Sequence, residues 1–299
     1  MTQLIAGIEL GGTKSVAVLA RGDTILDRLI VPTAEPDTTL TMLTGWIAEH
    51  HAADPVAAIG IASFGPINLS PEHSAFGRIG ATPKPDWSHV DVYGRVASQF
   101  DLPIGFDTDV AGAALAEGRW GAAQGCDDHI YLTIGTGVGA GIVVDRRIVH
   151  GAGHPEAGHI RVRRVPGDLF AGSCPFHGDC LEGLVAGPAL SARTGLLADA
   201  IGPDHSVWLK VVAELAEAMA TLIFLLAPQR IVLGGGVAIK RAALLPLIVA
   251  RTGALIGDYL PGYAPGTMAS VIVPAALGTD AGPLGAVALG QAALAKNDQ

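Results

Sequence analysis

The chain has 299 residues, 49% of them hydrophobic and 16% charged, with a formal net charge of -9 and a pI near 5.5. That supplies apolar material for one large or two medium globular domains, and the acidic balance, with no Lys/Arg cluster, excludes a nucleic-acid surface. The longest apolar run, 219–227, is too short and interrupted to cross a bilayer; three cysteines without a secretory leader exclude a disulfide framework, so the cytoplasm is the expected compartment.

Apolar alternation predicts strands over 4–10 and 15–20 around the turn Gly11-Gly12-Thr13-Lys14, and a third over 24–31. A helix over 38–51, a buried strand over 57–63, a helix over 90–100 and a short strand over 104–107 complete a first β-β-β-α-β-α-β half. After a helix over 110–118 the pattern restarts with strands at 130–134, 139–144 and 147–150. A long helix follows, marked by Val207, Val211, Leu215, Met219, Leu222 and Leu226, whose spacing keeps one face apolar. A strand at 231–233, a helix over 241–257, a strand at 270–273 and a last helix over 282–295 end the chain. Two similar α/β halves imply a ligand cleft at their junction.

Glycines carry the next signal. A two-glycine turn with a hydroxyl residue, Gly11-Gly12-Thr13-Lys14, offers backbone N–H groups to an anion, although a plain hairpin uses the same turn. A second such loop, Gly135-Thr136-Gly137-Val138-Gly139, opens the second half, and two of them imply a polyphosphate. Gly135, Gly137 and Ala140 also satisfy a dinucleotide fingerprint, but the chain continues as strand where that motif requires a helix, and no Walker Gly-Lys-Ser/Thr is present. Gly234-Gly235-Gly236 is a third loop, suited either to the adenosine of a nucleotide or to a tight strand-to-helix turn. Asp109, where strand gives way to helix, reads as an N-cap, as the base accepting a sugar hydroxyl proton in phosphoryl transfer, or as both.

His159 followed by Cys174, His177 and Cys180 supplies four ligands that suit tetrahedral Zn(II), and with every position taken by protein the metal is structural. Glu156 and Glu182 flank this knuckle as carboxylates the metal does not need. Cys126 has no such neighbours and reads as apolar filler.

Together these residues resemble the ROK (repressor, ORF, kinase) sugar kinases of the actin-like ATPase fold, and within them the bacterial fructokinases, over nearly the whole chain. Glu9-Leu10-Gly11-Gly12-Thr13-Lys14 is similar to the family's first phosphate motif, with Glu where glucokinases carry Asp. Segments 61–67, including Gly65 and Pro66, and 82–87 resemble sugar-domain segments. Thr108-Asp109 falls on the sugar-binding and catalytic pair, Ile134-Gly135-Thr136-Gly137 on the second phosphate motif, and Gly234-Gly235-Gly236-Val237 on the adenosine segment. The resemblance adds Gly187 to the nucleotide contacts. His154 through His159 is similar to the family's Glu-x-Gly-His signature, in which Glu156 touches sugar hydroxyls and His159 binds zinc beside the sugar, and Glu182 becomes a further sugar contact. Where the family carries Asn two residues after the catalytic Asp, this chain has Ala111.

The resemblance implies two α/β domains, 1–109 with the last helix packed back on it and 110–281 with the zinc insertion at 154–182. It implies an ATP- and Mg(II)-dependent kinase converting D-fructose to D-fructose 6-phosphate, with structural Zn(II) and a homodimeric state. Kinases for mannose, glucose or N-acetylhexosamines are the alternative within enzymes. A sugar-responsive regulator of the same family is the alternative outside them, disfavoured because the first strand starts by Leu4 and leaves no place for a helix-turn-helix.

Overall fold

The computed structural model of the chain describes residues 3–297. Its elements run β1 (Leu4–Leu10), β2 (Lys14–Arg21), β3 (Thr24–Pro32), α1 (Pro36–Ala53), β4 (Ala58–Ser63), α2 (Val92–Ala97), β5 (Ile104–Thr108) and α3 (Asp109–Trp120) in the first half. The second half runs β6 (His129–Ile134), β7 (Val138–Val144), β8 (Arg147–Ile148), α4 (Leu181–Val185), α5 (Gly187–Thr194), α6 (Val207–Leu226), β9 (Arg230–Gly234) and α7 (Gly235–Lys240). It ends with α8 (Leu245–Ile256), α9 (Met268–Val271), β10 (Ile272–Pro274) and α10 (Ala281–Asn297).

The chain forms two compact units. Unit 1 runs to Trp120, takes in Ile148–Pro155, and resumes at Asp280; unit 2 comprises Gly121–Arg147 and Glu156–Thr279. Unit 1 therefore includes α3 and the strap 148–155, which motif order alone assigns to the second half.

Unit 1 is built on a five-stranded sheet in the order β3-β2-β1-β4-β5, antiparallel from β3 to β1 and parallel from β1 to β5. Ile8, Leu10, Ile59 and Ile61 of this sheet join Leu40, Leu43 and Ile47 of α1 and Trp87 in its main core. On the other face α10 lies against β1, β4 and α3. The approach is close enough that a Cβ on Gly60 would sit 1.7 Å from the Ala286 carbonyl oxygen, so only glycine admits the helix there. Glu35 caps α1, accepting the Asp37 and Thr38 amides, with Pro36 in the first turn where its missing N–H costs nothing.

Unit 2 repeats the plan with the order β10-β9-β6-β7-β8: β6 is antiparallel to β7 and parallel to β9, which is parallel to β10. The apolar stripe of α6 is buried as its spacing predicts, with Val211, Met219 and Ile223 fully enclosed.

Three elements differ from the sequence reading. The helix expected over 241–257 begins with a 3-10 turn at Ala242–Leu244 and becomes α-helical only as α8, and a separate short helix, α7, precedes it. Arg241 is the reason: its guanidinium donates to the Ile201 carbonyl at 2.6 Å and stacks over Trp208, drawing the backbone out of helical register, and Pro246 starts the new helix. The strand expected at 270–273 begins only at Ile272, because Thr267 receives the Ser270 amide and hydroxyl and closes the turn of α9. The strand expected over 147–150 stops at Ile148, and His150 turns to Asp107.

Candidate active site

In unit 1 the three parallel strands end level. Leu10 is in register with Ser63, and Ser63 with Thr108, so the turn Gly11–Lys14, the segment Phe64-Gly65-Pro66 and Asp109 all leave the sheet at one edge. This is the edge at which parallel α/β sheets bind ligands. The capping question at the start of α3 resolves in favour of Thr108, whose Oγ1 accepts the Ala111 amide at 3.1 Å. Ala111 itself is buried. Asp109 Oδ1 accepts the adjacent Val110 amide at 2.9 Å.

The turn Gly11–Lys14 presents its acceptors inward. Thr33 donates its hydroxyl to the Gly11 carbonyl and its amide to Thr13, Gly11 N–H closes on Lys14 O, and Lys84 Nζ reaches the Gly12 carbonyl. A turn with its carbonyls so occupied has donors left for an anion. Glu9, just before it, lies against Gly282 in the first turn of α10. Burial pushes the Glu9 carboxyl up to about 7, the charges of Asp109 and Asp280 add to the rise, and Lys14 opposes it.

Two histidines of the strap, given no role in the sequence reading, hold it to the rest of unit 1. His150 Nε2 pairs with the buried Asp107 at 3.0 Å, a bond that raises the imidazole pKa, and Asp107 also accepts the Thr108 amide. His154 Nε2 accepts the Ile67 amide at 3.0 Å, directly after Gly65-Pro66. These partners are far apart in sequence, and no local spacing announces them.

In unit 2, Gly135-Thr136-Gly137 joins β6 to β7. Gly187 donates its amide to the Gly135 carbonyl at 2.8 Å, and Gly135 N–H bonds to Gly137 O. Glu182 Oε2 accepts the Val138 amide at 3.0 Å. The Glu182 of the expected sugar set thus has one oxygen engaged by the phosphate-type loop. Glu156 is exposed beside the 3-10 turn Ala157–His159, and Gly158 in that turn packs against the Val138 carbonyl. Gly234 ends β9 opposite Thr133, and Gly235 takes φ +85, where a Cβ would meet Thr133 and Ile134. Beside Gly234-Gly235-Gly236 an apolar pocket of about 180 Å³ is lined by Leu233, Val237, Ile239, Leu245, Ile248 and Arg241.

The four expected metal ligands converge: the ligand atoms of His159, Cys174, His177 and Cys180 all lie within 4.8 Å of one another. His159 Nδ1 is 3.5 Å from Cys180 Sγ and 3.8 Å from Cys174 Sγ, and His177 Nδ1 is 3.7 Å from Cys174 Sγ. A tetrahedron with Zn–S near 2.3 Å and Zn–N near 2.0 Å has edges of about 3.3–3.8 Å, so the quartet fits zinc. Cys126 stands apart from it. Asp168, within the loop between His159 and Cys174, ties that loop to Arg193 of α5 and Lys210 of α6. Burial alone would push its carboxyl up, but bonds from Arg164 and Lys210 and the charge of Arg193 hold it well below the usual carboxylate range.

Two mixed sheets of matching strand order, each with a glycine turn where strands end, define the actin-like ATPase fold. The chain belongs to the ROK family, whose model matches residues 5–293. It is 43% identical to a fructokinase of Pediococcus pentosaceus, covering 97% of this chain and 99% of the relative, and 37% identical to a fructokinase of Streptococcus mutans over 97% and 98%. Among solved structures, a ROK hexokinase from Thermus thermophilus matches with TM-score 0.78 and 26% identity over 99% and 100% of the two chains. A ROK glucokinase from Streptomyces griseus, in complex with glucose and AMPPNP, matches with TM-score 0.76 and 26% identity over 97% and 99%. Among the described residues no helix is long and apolar enough to cross a membrane.

Proposed function

We propose that this chain is an ATP:D-fructose 6-phosphotransferase. The observation that carries the reading is the near-full-length identity of 37–43% to proteins named fructokinase, against 30% to a kanosamine kinase. ATP with Mg(II) supplies the phosphoryl group and neutralises its charge. Asp109 orients the fructose 6-hydroxyl and takes its proton as the oxygen attacks the γ-phosphorus; the bond to the β-phosphate oxygen breaks and ADP leaves. Gly11, Gly12, Thr13 and Lys14, with Gly135, Thr136, Gly137 and Gly187, form the two phosphate loops; the Gly11, Gly135 and Gly187 amides brace these loops on the Lys14, Gly137 and Gly135 carbonyls, and the loops' remaining amides face the phosphates. The apolar pocket beside Gly234–Gly236 takes the base. Gly65, Pro66, Thr108, Glu156, His159 and Glu182 surround the sugar, and zinc fixes the loop that carries the last three. The division into domains at 109 and 281, a homodimeric state and a cytoplasmic location belong to the same reading.

The test is a coupled ADP-release assay with zinc-replete protein, ATP and Mg(II) against fructose, mannose, glucose and N-acetylglucosamine, with Asp109→Asn as control. Fructose-dependent turnover lost in the variant supports the reading. Preference for another hexose changes the substrate and keeps the mechanism, and no turnover with any sugar overturns it.

A further inference from the structure

We infer that Lys84 is a nucleotide-phosphate contact: its ammonium, seated on the Gly12 carbonyl, donates to a phosphate oxygen of bound ATP. The inference rests on the reading of the chain as an ATP-dependent kinase.

The turn Gly11–Lys14 needs no cation to exist. Three of the four bonds that occupy its carbonyls come from the turn itself or from Thr33, just after β3 and steadied by Ser15 Oγ at 2.8 Å. A hairpin supplies all of those. The fourth comes from Lys84, 72 residues away in sequence, whose Nζ lies 2.9 Å from Gly12 O. Gly12 is exposed, so water would satisfy that carbonyl equally well. Fixing a lysine side chain there costs about 1.5–2 kcal/mol of rotamer entropy with little stability in return.

The segment carrying Lys84 is nevertheless built to deliver it. Trp87, fully buried, donates Nε1 to the Ala34 carbonyl at 2.8 Å and meets Phe64 edge-on at 5.4 Å between ring centres. The Thr82 hydroxyl oxygen accepts the Lys84 amide, and the Ser88 hydroxyl bonds to the Thr82 carbonyl. A lysine ammonium has three donors, and the Gly12 carbonyl takes one. The charge balance points the same way. Glu9, Asp109 and Asp280 interact at this edge, with Lys14 beside Glu9 and Arg28 paired to Asp280 at 2.9 Å, so two cations face three acids and a polyphosphate approaching them requires further positive charge. A point-charge ammonium on an amide-lined turn is a recurrent phosphate binder.

The experiment compares full-length zinc-replete wild type, Lys84→Met and Lys84→Arg, measuring kcat and the KM for ATP and for fructose separately, with calorimetric titration of Mg·ATP in the absence of sugar. Lys84→Met is expected to lower kcat/KM for ATP and the calorimetric affinity by about tenfold, the scale of one charge-assisted hydrogen bond. KM for fructose should stay within about twofold, Lys84→Arg should recover most of the loss, and added salt should narrow the gap between wild type and Lys84→Met. ATP constants unchanged in Lys84→Met overturn the inference. So does a rise in fructose KM alone, which would make Lys84 a sugar contact, or a parallel loss in both constants with a fall in melting temperature. Should wild type prefer another hexose, the same comparison runs with that sugar; should it turn over none, the calorimetric affinities decide, and equal values overturn it.

Discussion

His154 Nε2 accepts the Ile67 amide at 3.0 Å, and its Nδ1 lies 3.5 Å from the Pro155 carbonyl. The Ile67 bond ties the strap to the segment that carries Gly65 and Pro66. His154→Ala should therefore raise KM for fructose about three- to tenfold and leave KM for ATP nearly unchanged, while His154→Gln, which keeps an acceptor, recovers part of the loss. Steady-state kinetics with each substrate varied in turn checks this. An equal rise in both constants would assign His154 to general stability.

Glu182 belongs to two neighbourhoods. It opens α4, two residues after the ligand Cys180, and its Oε2 accepts the Val138 amide next to Gly135-Thr136-Gly137. A carboxylate in this position couples the knuckle to the loop, so Glu182→Ala should raise KM for ATP as well as for fructose. Glu182→Gln retains an acceptor for Val138 but removes the charge, and should spare KM for ATP more than KM for fructose. Rises confined to fructose in both variants would show that the Val138 bond has no part in nucleotide binding.

The zinc quartet draws its ligands from two short segments: Cys174 and Gly178 exchange backbone bonds across the knuckle, His159 ends a three-residue 3-10 turn, and the Leu181 amide on the Ile160 carbonyl and Arg161 and Arg164 on Asp179 join the two at the knuckle's far end. Removing the metal, by chelation or by Cys180→Ser, should release the loop carrying Glu156 and Glu182 while leaving the sheet of unit 1 intact. Elemental analysis should give one zinc per chain. Metal loss should lower the melting temperature by roughly 5–10 °C and raise KM for fructose before it lowers kcat. A zinc-free protein with unaltered fructose KM would refute the coupling.

The zinc ligands are legible in the sequence because all four fall within residues 159–180, where spacing reflects geometry. The glycine turns are legible for the same reason: each follows directly on an apolar strand, and the sheet aligns the strand ends. The pairs His154–Ile67, Lys84–Gly12 and Asp107–His150 are not, since each depends on which strands lie side by side rather than on neighbouring residues. The late start of α8 is missed because an apolar pattern registers the helical face of 241–257 but not the contacts of Arg241 with Ile201 and Trp208. Asp109 shows the converse: sequence leaves it as cap or base, and the Thr108 bond to Ala111 gives capping to its neighbour.

His150 and Asp107 give the strap a pH dependence. The pair raises the imidazole pKa above its ordinary 6.5, so protonated His150 contributes stability that is present below 6.5 and lost as pH rises through the raised value. His150 is partly exposed, which screens the effect. NMR titration of His150 should place its midpoint above 6.5, and Asp107→Asn should bring it down; an unmoved midpoint in the variant would remove Asp107 as the cause.

Glu9 acts more strongly because it is more enclosed. Burial first, then the charge of Asp109, lifts its pKa from 4.5 to about 7, against the pull of Lys14. Between those values the folded protein holds a proton that the unfolded chain has released, so stability falls as pH rises through the window. Full ionisation at high pH costs the ligand-free protein about 3 kcal/mol at most. Glu9→Gln removes the titration, so its melting temperature should exceed that of wild type at pH 8 and the difference should vanish by about pH 4.5. Glu9 and Asp109 are carboxylates that would hold Mg(II) brought by the nucleotide; metal bound there would favour the ionised Glu9 and flatten the wild-type profile in the same window. Differential scanning calorimetry from pH 4.5 to 8, with and without Mg·ATP, measures both effects. Parallel profiles for wild type and Glu9→Gln would show that Glu9 ionises in the folded protein as it does in the unfolded chain.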